Sequence, residues 1–468
     1  MKPSSWRQAR LWPALLVLTG GVRAAVTLPA VISDHMVLQA GKVVPIWGEA
    51  APGEHVIVSF AGQRVTAVAA ADGRWKANLA RLTPSVTPAE LTVEGNNVVR
   101  VQDVLVGEVW LGSGQSNMAL RVQDAQNFPA EQAAAKFPTL RLFKEESRSS
   151  PQVQTHGLGR WVVCSPGTVA PFSAVLYFFG REIQSSLGGA VGLINSSEGA
   201  TPIESWIDAS VQRAEPGLKD YVAKLEADPA EVARRHGDLG GLFNAKIAPL
   251  VPFGVRGVLW YQGEANTFPE KAPFYERELR LLIKDWRAKW GEALPFAWVQ
   301  LPNFGGPGRN WPLVREAMLK ALAEPGTGMA IAIDVGEEKN IHPKNKQAVG
   351  HRLALWALGS VYERKMAATS GPLPRDPEFR GHQVVVPFSH TAGGLVAQGG
   401  PLRGFDVAGE DRKWRPAEAR VAGDAVEIEA AEVATPVAVR YAWENNPSCN
   451  LFNAAGLPAT PFRTDTWD

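Results

Sequence analysis

Between residues 104 and 365, short apolar runs alternate with segments that are apolar on one face only. No other feature constrains the fold of this chain so strongly. Parallel strands need a crossover of a dozen or more residues, usually a helix. Helices on both faces then bury the sheet, so its strands read as continuous apolar runs. Strands are predicted at the run ending in Leu111 and at "AVGLINSS", "VRGVLWYQGE", "FAWVQLP" and "MAIAIDVG". Four helices separate or follow them. "SAVLYFFGREIQSSLGG" carries Ser173 as a cap and Gly188 as a stop. "PFYERELRLLIKDWRAKWG" starts near Pro273 and ends at Gly291, with Tyr275, Leu279, Leu282, Ile283, Trp286 and Trp290 on one face. "PLVREAMLKALA" and "NKQAVGHRLALWALGSVY" complete the set. The expected core is an α/β domain on a five-stranded parallel sheet.

The flanks have a different period. Residues 26–103 hold short alternating runs between Gly, Asp-Gly and Pro-Gly turns, and residues 366–468 return to that pattern after the helices end. Both read as β-sandwich-like modules. The chain therefore divides into 1–25, 26–103, 104–365 and 366–468, as suits 468 residues, more than one hydrophobic core supports. Residues 1–25 read as a secretory signal peptide: Arg7 and Arg10 precede an apolar stretch too short to span a bilayer, then small residues. A periplasmic or secreted protein is expected, without membrane insertion. The 48 basic and 47 acidic residues leave a net charge of +1, which gives no support to nucleic acid or an anionic membrane as partner, and no nucleic-acid partner is expected. Export permits a disulfide between the two cysteines, Cys164 and Cys449, but two free thiols are the favoured reading. Oligomeric state is not legible.

In open parallel sheets, functional groups collect beyond the carboxyl ends of the strands. The five predicted strand ends supply Gly114-Gln115-Ser116-Asn117, then Asn195 to Thr201, then Gln262-Gly263-Glu264-Ala265-Asn266, then Gln300 to Asn303, then Asp334 followed by a run to His342. Taken singly, Ser116 reads as a helix cap and His342 as a turn residue. Taken together they are the parts of a serine acyl-transfer site: nucleophile, base, orienting acid and oxyanion donors.

The motifs carry a resemblance. "SDHMVLQ", "VPIWGEAAPGE", "VGEVWLGSGQSNM", "GLINSSEGATPIESW", "LFNAKIAPLVPFGVRGVLWYQGEAN", "VQLPNF", "IHPKNKQAVGHRLAL" and "VRYAWENNPSCNLFNAAGLPATPFRTD" resemble the sialate O-acetylesterase family of carbohydrate esterases, within the SGNH hydrolases. The resemblance implies a flavodoxin-like hydrolase domain with β accessory modules. It implies Ser116 as nucleophile and His342 as base, with oxyanion donors from the Ser116 N–H, Gly199 and a side-chain amide, Gln262 first. Gln115 and Asn117 flank the nucleophile as substrate-binding candidates. The expected substrate is an acetylated carbohydrate, with no metal or organic cofactor. A lipase-like or lysophospholipase-like esterase and a non-catalytic glycan binder are the rival readings. The sequence departs from the SGNH pattern three residues before the histidine, where Lys339 stands in place of an acid. Glu264 is then the first candidate for the triad acid and Asp334 the second. A second departure puts Glu198-Gly199-Ala200-Thr201 after the second strand.

Overall fold

A computed structural model describes residues 25–234 and 236–467. The expected export leader lies outside the described residues except for Ala25. No helix among the described residues is long and apolar enough to cross a membrane.

The N-terminal strands are β1 (Val37–Gln39), β2 (Val44–Glu49), β3 (His55–Phe60), β4 (Gln63–Val68), β5 (Arg74–Leu79) and β6 (Ser85–Glu94). The next strand, β7 (Val98–Gly114), belongs to two structures at once. Its first half pairs antiparallel with β6, and its second half is the middle of the parallel sheet. The module boundary drawn at residue 103 therefore falls inside a continuous strand. At that point two residues of β7, Gln102 and Asp103, oppose one of β6, and Asp103 takes a left-handed φ of 53°. The bulge aims Asp103 at Arg141, whose guanidinium donates two bonds to its carboxylate at 2.6 and 3.0 Å.

The sheet continues through β8 (Phe137–Glu145), β9 (Gly159–Cys164), β10 (Ala190–Ser197), β11 (Gly257–Tyr261), β12 (Phe296–Val299) and β13 (Thr327–Ala330). Its order is β13-β12-β11-β7-β10-β8-β9. Among the described residues, six of these run parallel and β9 closes the edge antiparallel. The five-strand expectation is corrected by β8, which the sequence hid behind Pro138 and Arg141. Arg141 is a charge in a buried strand, tolerated because Asp103 pairs with it. Without β8, the order reads 2-1-3-4-5, the doubly wound arrangement of flavodoxin-like sheets.

Side chains alternate across the strands into two cores. Val109, Leu111, Val258, Trp260 and Trp298 meet helices Tyr275–Trp290 and Trp311–Ala321 on one face. Trp110, Leu193, Leu259 and Val299 meet helices Ala174–Leu187 and Lys346–Trp356 on the other. Local signals behave as their chemistry dictates. Ser173 Oγ accepts the Leu176 N–H, and Gly188 and Gly291 end their helices at φ 74° and 68°. The C-terminal module packs antiparallel strands around its own core of Val384, Val386, Phe405, Val426, Ile428 and Tyr441. Cys164 and Cys449 are free thiols.

Candidate active site

The chain leaves β7 through Gly114, at φ 132°. A Cβ there would lie 2.2 Å from the Tyr261 carbonyl oxygen of β11, so only glycine fits. Gln115 then donates its N–H to that same carbonyl at 3.0 Å, and Glu198 donates to the Gly114 carbonyl at 3.0 Å. The turn is thereby tied to strands on both sides. Ser116 opens the short helix Ser116–Ala119 and faces outward. It is not a cap: Gln115 holds the capping position and offers no side-chain bond. The Ser116 hydroxyl instead lies 2.8 Å from His342 Nε2.

This pair stands in an open cavity of about 420 Å³ lined by Ala119, Leu120, Arg121, Asp124, Gly199, Asn340 and Lys344. All of these come from the α/β domain. The Gly199 turn runs close by, where an added Cβ would approach the Ser116 Cβ to 3.7 Å. The Ser116 N–H, at the first helical position, has no intrahelical carbonyl to bond. Burial and the nearby Lys346 ammonium both hold the His342 pKa below the ordinary imidazole value.

The structure does not bring the other sequence-selected side chains to the cleft. Gln262, expected as an oxyanion donor, is fully buried. Its Nε2 donates to Asn266 Oδ1, Gln115 Oε1 and the Thr201 carbonyl, and its Oε1 accepts from the Tyr275 hydroxyl. Gln115 and Asn117 are 4% and 0% exposed and point inward, where their side-chain amides bond Gln262 and Glu264 respectively. Neither expected acid reaches His342. Glu264 is buried and accepts from Asn117 Nδ2. Asp334 pairs bidentately with Arg352 at 2.6 and 2.7 Å. Among the described residues, no carboxylate pairs with the His342 ring.

Two residues missed by the sequence reading shape the histidine loop. Glu337 accepts the Lys344 N–H at 2.8 Å and an Asn340 Nδ2 bond at 3.0 Å, and these bonds hold its carboxyl below the usual range. Asn340 in turn accepts the His342 N–H and donates to the His342 carbonyl. The Glu-x-x-Asn-x-His spacing in "EEKNIHP" is a local signal that could have revealed this, since Asn side chains bond backbone two residues on. The second is Lys346, fully buried, with Nζ donating to Asn117 Oδ1 at 2.6 Å. Burial pushes its pKa down to about 7. Nothing in a lone lysine before a helix announces that.

A family model described as carbohydrate esterase, sialic acid-specific acetylesterase, matches residues 106–358. The chain is 30% identical to the sialate O-acetylesterase of Pongo abelii, over 92% of this chain and 91% of that one. It is likewise 30% identical to the human sialate O-acetylesterase, with the same coverage. Among solved structures, it is similar to a carbohydrate acetylesterase from Xanthomonas citri, with 39% identity, a TM-score of 0.87, and coverage of 95% of this chain and 100% of that one.

Proposed function

Since the chain belongs to the carbohydrate esterase family of sialic acid-specific acetylesterases, we propose that it removes acetyl groups from acetylated sugars through a serine acyl-enzyme. The observation that carries the mechanism is the 2.8 Å contact of Ser116 Oγ with His342 Nε2 in an open cavity. His342 Nε2 takes the hydroxyl proton as Ser116 attacks the acetyl carbonyl. The N–H groups of Ser116 and Gly199 receive the oxyanion, and preorganised donors of this kind dominate such catalysis. The tetrahedral species collapses as His342 returns the proton to the departing sugar oxygen. Water, deprotonated by His342, then releases acetate and restores the serine. The depressed His342 pKa keeps the ring neutral and ready to accept the proton. Arg121, Asp124, Asn340 and Lys344 line this cavity and offer hydrogen-bonding groups to sugar hydroxyls. Export is part of the proposal and rests on the basic-apolar-small pattern of residues 1–25.

Ser116→Ala tests the reading. Acetate release should vanish, while stability changes by only about 1 kcal/mol, the worth of one lost hydrogen bond. Near-normal turnover on an acetylated sugar would dismiss Ser116 as nucleophile.

A further inference from the structure

Beside the nucleophile, the Asn117 amide is 0% exposed and has both donors and its acceptor engaged. Nδ2 donates to Glu264 Oε1 and, at 3.0 Å, to the Ile341 carbonyl, while Oδ1 accepts from Lys346 Nζ at 2.6 Å. These three partners come from different places. Glu264 follows β11, Ile341 immediately precedes His342, and Lys346 opens the helix after the histidine loop. One side chain thus joins the turn that carries Ser116 to the loop that carries His342.

Stability alone does not account for the arrangement. Burying a carboxylate and an ammonium costs several kcal/mol each, and apolar replacements of such groups are often neutral or better. The trio is also under-satisfied. Glu264 Oε2 is buried without a partner, and the Lys346 ammonium makes one hydrogen bond and faces the Tyr261 ring at 5.2 Å. Such orphaned groups in a core call for another role. The geometry supplies one. Lys346 holds the amide oxygen and Glu264 one amide hydrogen, so the second hydrogen can only point at the Ile341 carbonyl.

We propose that Asn117 is a positioning residue: gripped between Glu264 and Lys346, its amide fixes the Ile341 carbonyl and with it the reach of His342 to Ser116. By backbone anchorage the trio supplies the orienting part of a triad carboxylate's role, without its stabilisation of the imidazolium. This rests on Ser116 and His342 being the reacting pair, and Ser116→Ala checks that separately.

Asn117→Asp is the primary test, read as kcat and KM on an aryl acetate. It keeps the size and the bond to Lys346, but turns the donors facing Glu264 and Ile341 into acceptors. We expect kcat to fall about 100-fold, the order of loss for a sub-ångström to ångström misplacement, with KM nearly unchanged because Asn117 touches no substrate. Asn117→Asp combined with Glu264→Gln exchanges amide and carboxylate. It restores the 117–264 bond and the net charge, but not the donor to Ile341. Its thermal midpoint should return toward wild type while kcat stays low. If Asn117→Asp does not fold, the exchange variant carries the test alone, and low kcat in a folded protein supports the proposal. Wild-type kcat in Asn117→Asp, recovery of kcat in step with stability in the exchange variant, or failure of the exchange variant to fold would each reduce the trio to core packing. Turnover surviving Ser116→Ala would instead overturn the assignment of the reacting pair.

Discussion

At the residue scale, neither carboxylate picked out by sequence touches the His342 ring: Glu264 binds the Asn117 amide and Asp334 pairs with Arg352. Asp334 clamps Arg352, which also donates to the Ile331 carbonyl at 2.6 Å. Asp334→Asn should therefore cost about 1–3 kcal/mol of stability, the range for a hydrogen bond to a charged group, with turnover preserved. Thermal unfolding and an aryl acetate assay, run side by side, check it. His342 titrates from below its ordinary value of 6.5, and the reaction needs it neutral. The sign follows: activity is complete above the depressed pKa and is lost as pH falls through it. The acid limb of kcat/KM should lie below pH 6.5. In Lys346→Met, the charge that disfavours imidazolium is gone, so the limb should move to higher pH, whatever the absolute rate. A limb that stays in place would show that Lys346 has no electrostatic hold on the base.

At the element scale, the site depends on how strands end. Gly114 and Gly199 both border Ser116, yet physical reasoning assigns them opposite sensitivities. Gly114 combines positive φ with a backbone oxygen 2.2 Å from an added Cβ, so Gly114→Ala must part β7 from β11. It should cost about 3 kcal/mol, the upper end for a strained backbone position. Gly199 has no such strain, and an added methyl meets the Ser116 Cβ at an ordinary 3.7 Å. Gly199→Ala should leave stability within about 0.5 kcal/mol, while crowding the oxyanion side and lowering kcat/KM about tenfold or more. Equal effects of the two substitutions on stability would contradict this account.

At the scale of the whole molecule, the flanking modules contribute, among the described residues, no lining residue to the cavity, yet the C-terminal one props the loops beneath it. Asn445 and Asn446 bond the segment after β12: Asn445 O accepts the Phe304 N–H, and Asn446 Oδ1 accepts from Asn303. That segment in turn bonds the histidine loop, with Gly305 N–H to the Glu338 carbonyl and Gly336 N–H to Asn303 Oδ1. Arg315, completely buried, fastens the junction by donating to the carbonyls of Leu301, Pro302, Glu444 and Asn445. Arg315→Met removes the donor that these carbonyls share and should cost about 3 kcal/mol. Calorimetry should show the C-terminal module unfolding ahead of the rest. A single transition at the wild-type temperature would mean that the modules are joined by other contacts.

The legible part of this protein was written in local chemistry. The alternation of apolar runs and one-sided helices, the caps at Ser173 and Gly188, and the collection of Ser116 and His342 at strand ends all follow from periodicities and turn residues within a few positions of one another. Periodicity is local because backbone geometry is local. Strand β8 escaped because its burial depends on Asp103, which pairs with Arg141 from another strand. That Glu264 meets the Asn117 amide rather than the His342 ring escaped for the same reason. Sequence places Glu264 at the correct edge of the sheet but carries no distance, and whether it meets an imidazole or an amide turns on ångströms set by packing. Lys346 looks like any helix-start lysine until β7, β11 and the histidine loop close over it. The sequence by itself determined which groups reach one edge of the sheet. Only the tertiary structure decided which of them touch, because contact between strand ends far apart in the chain depends on how the two cores pack.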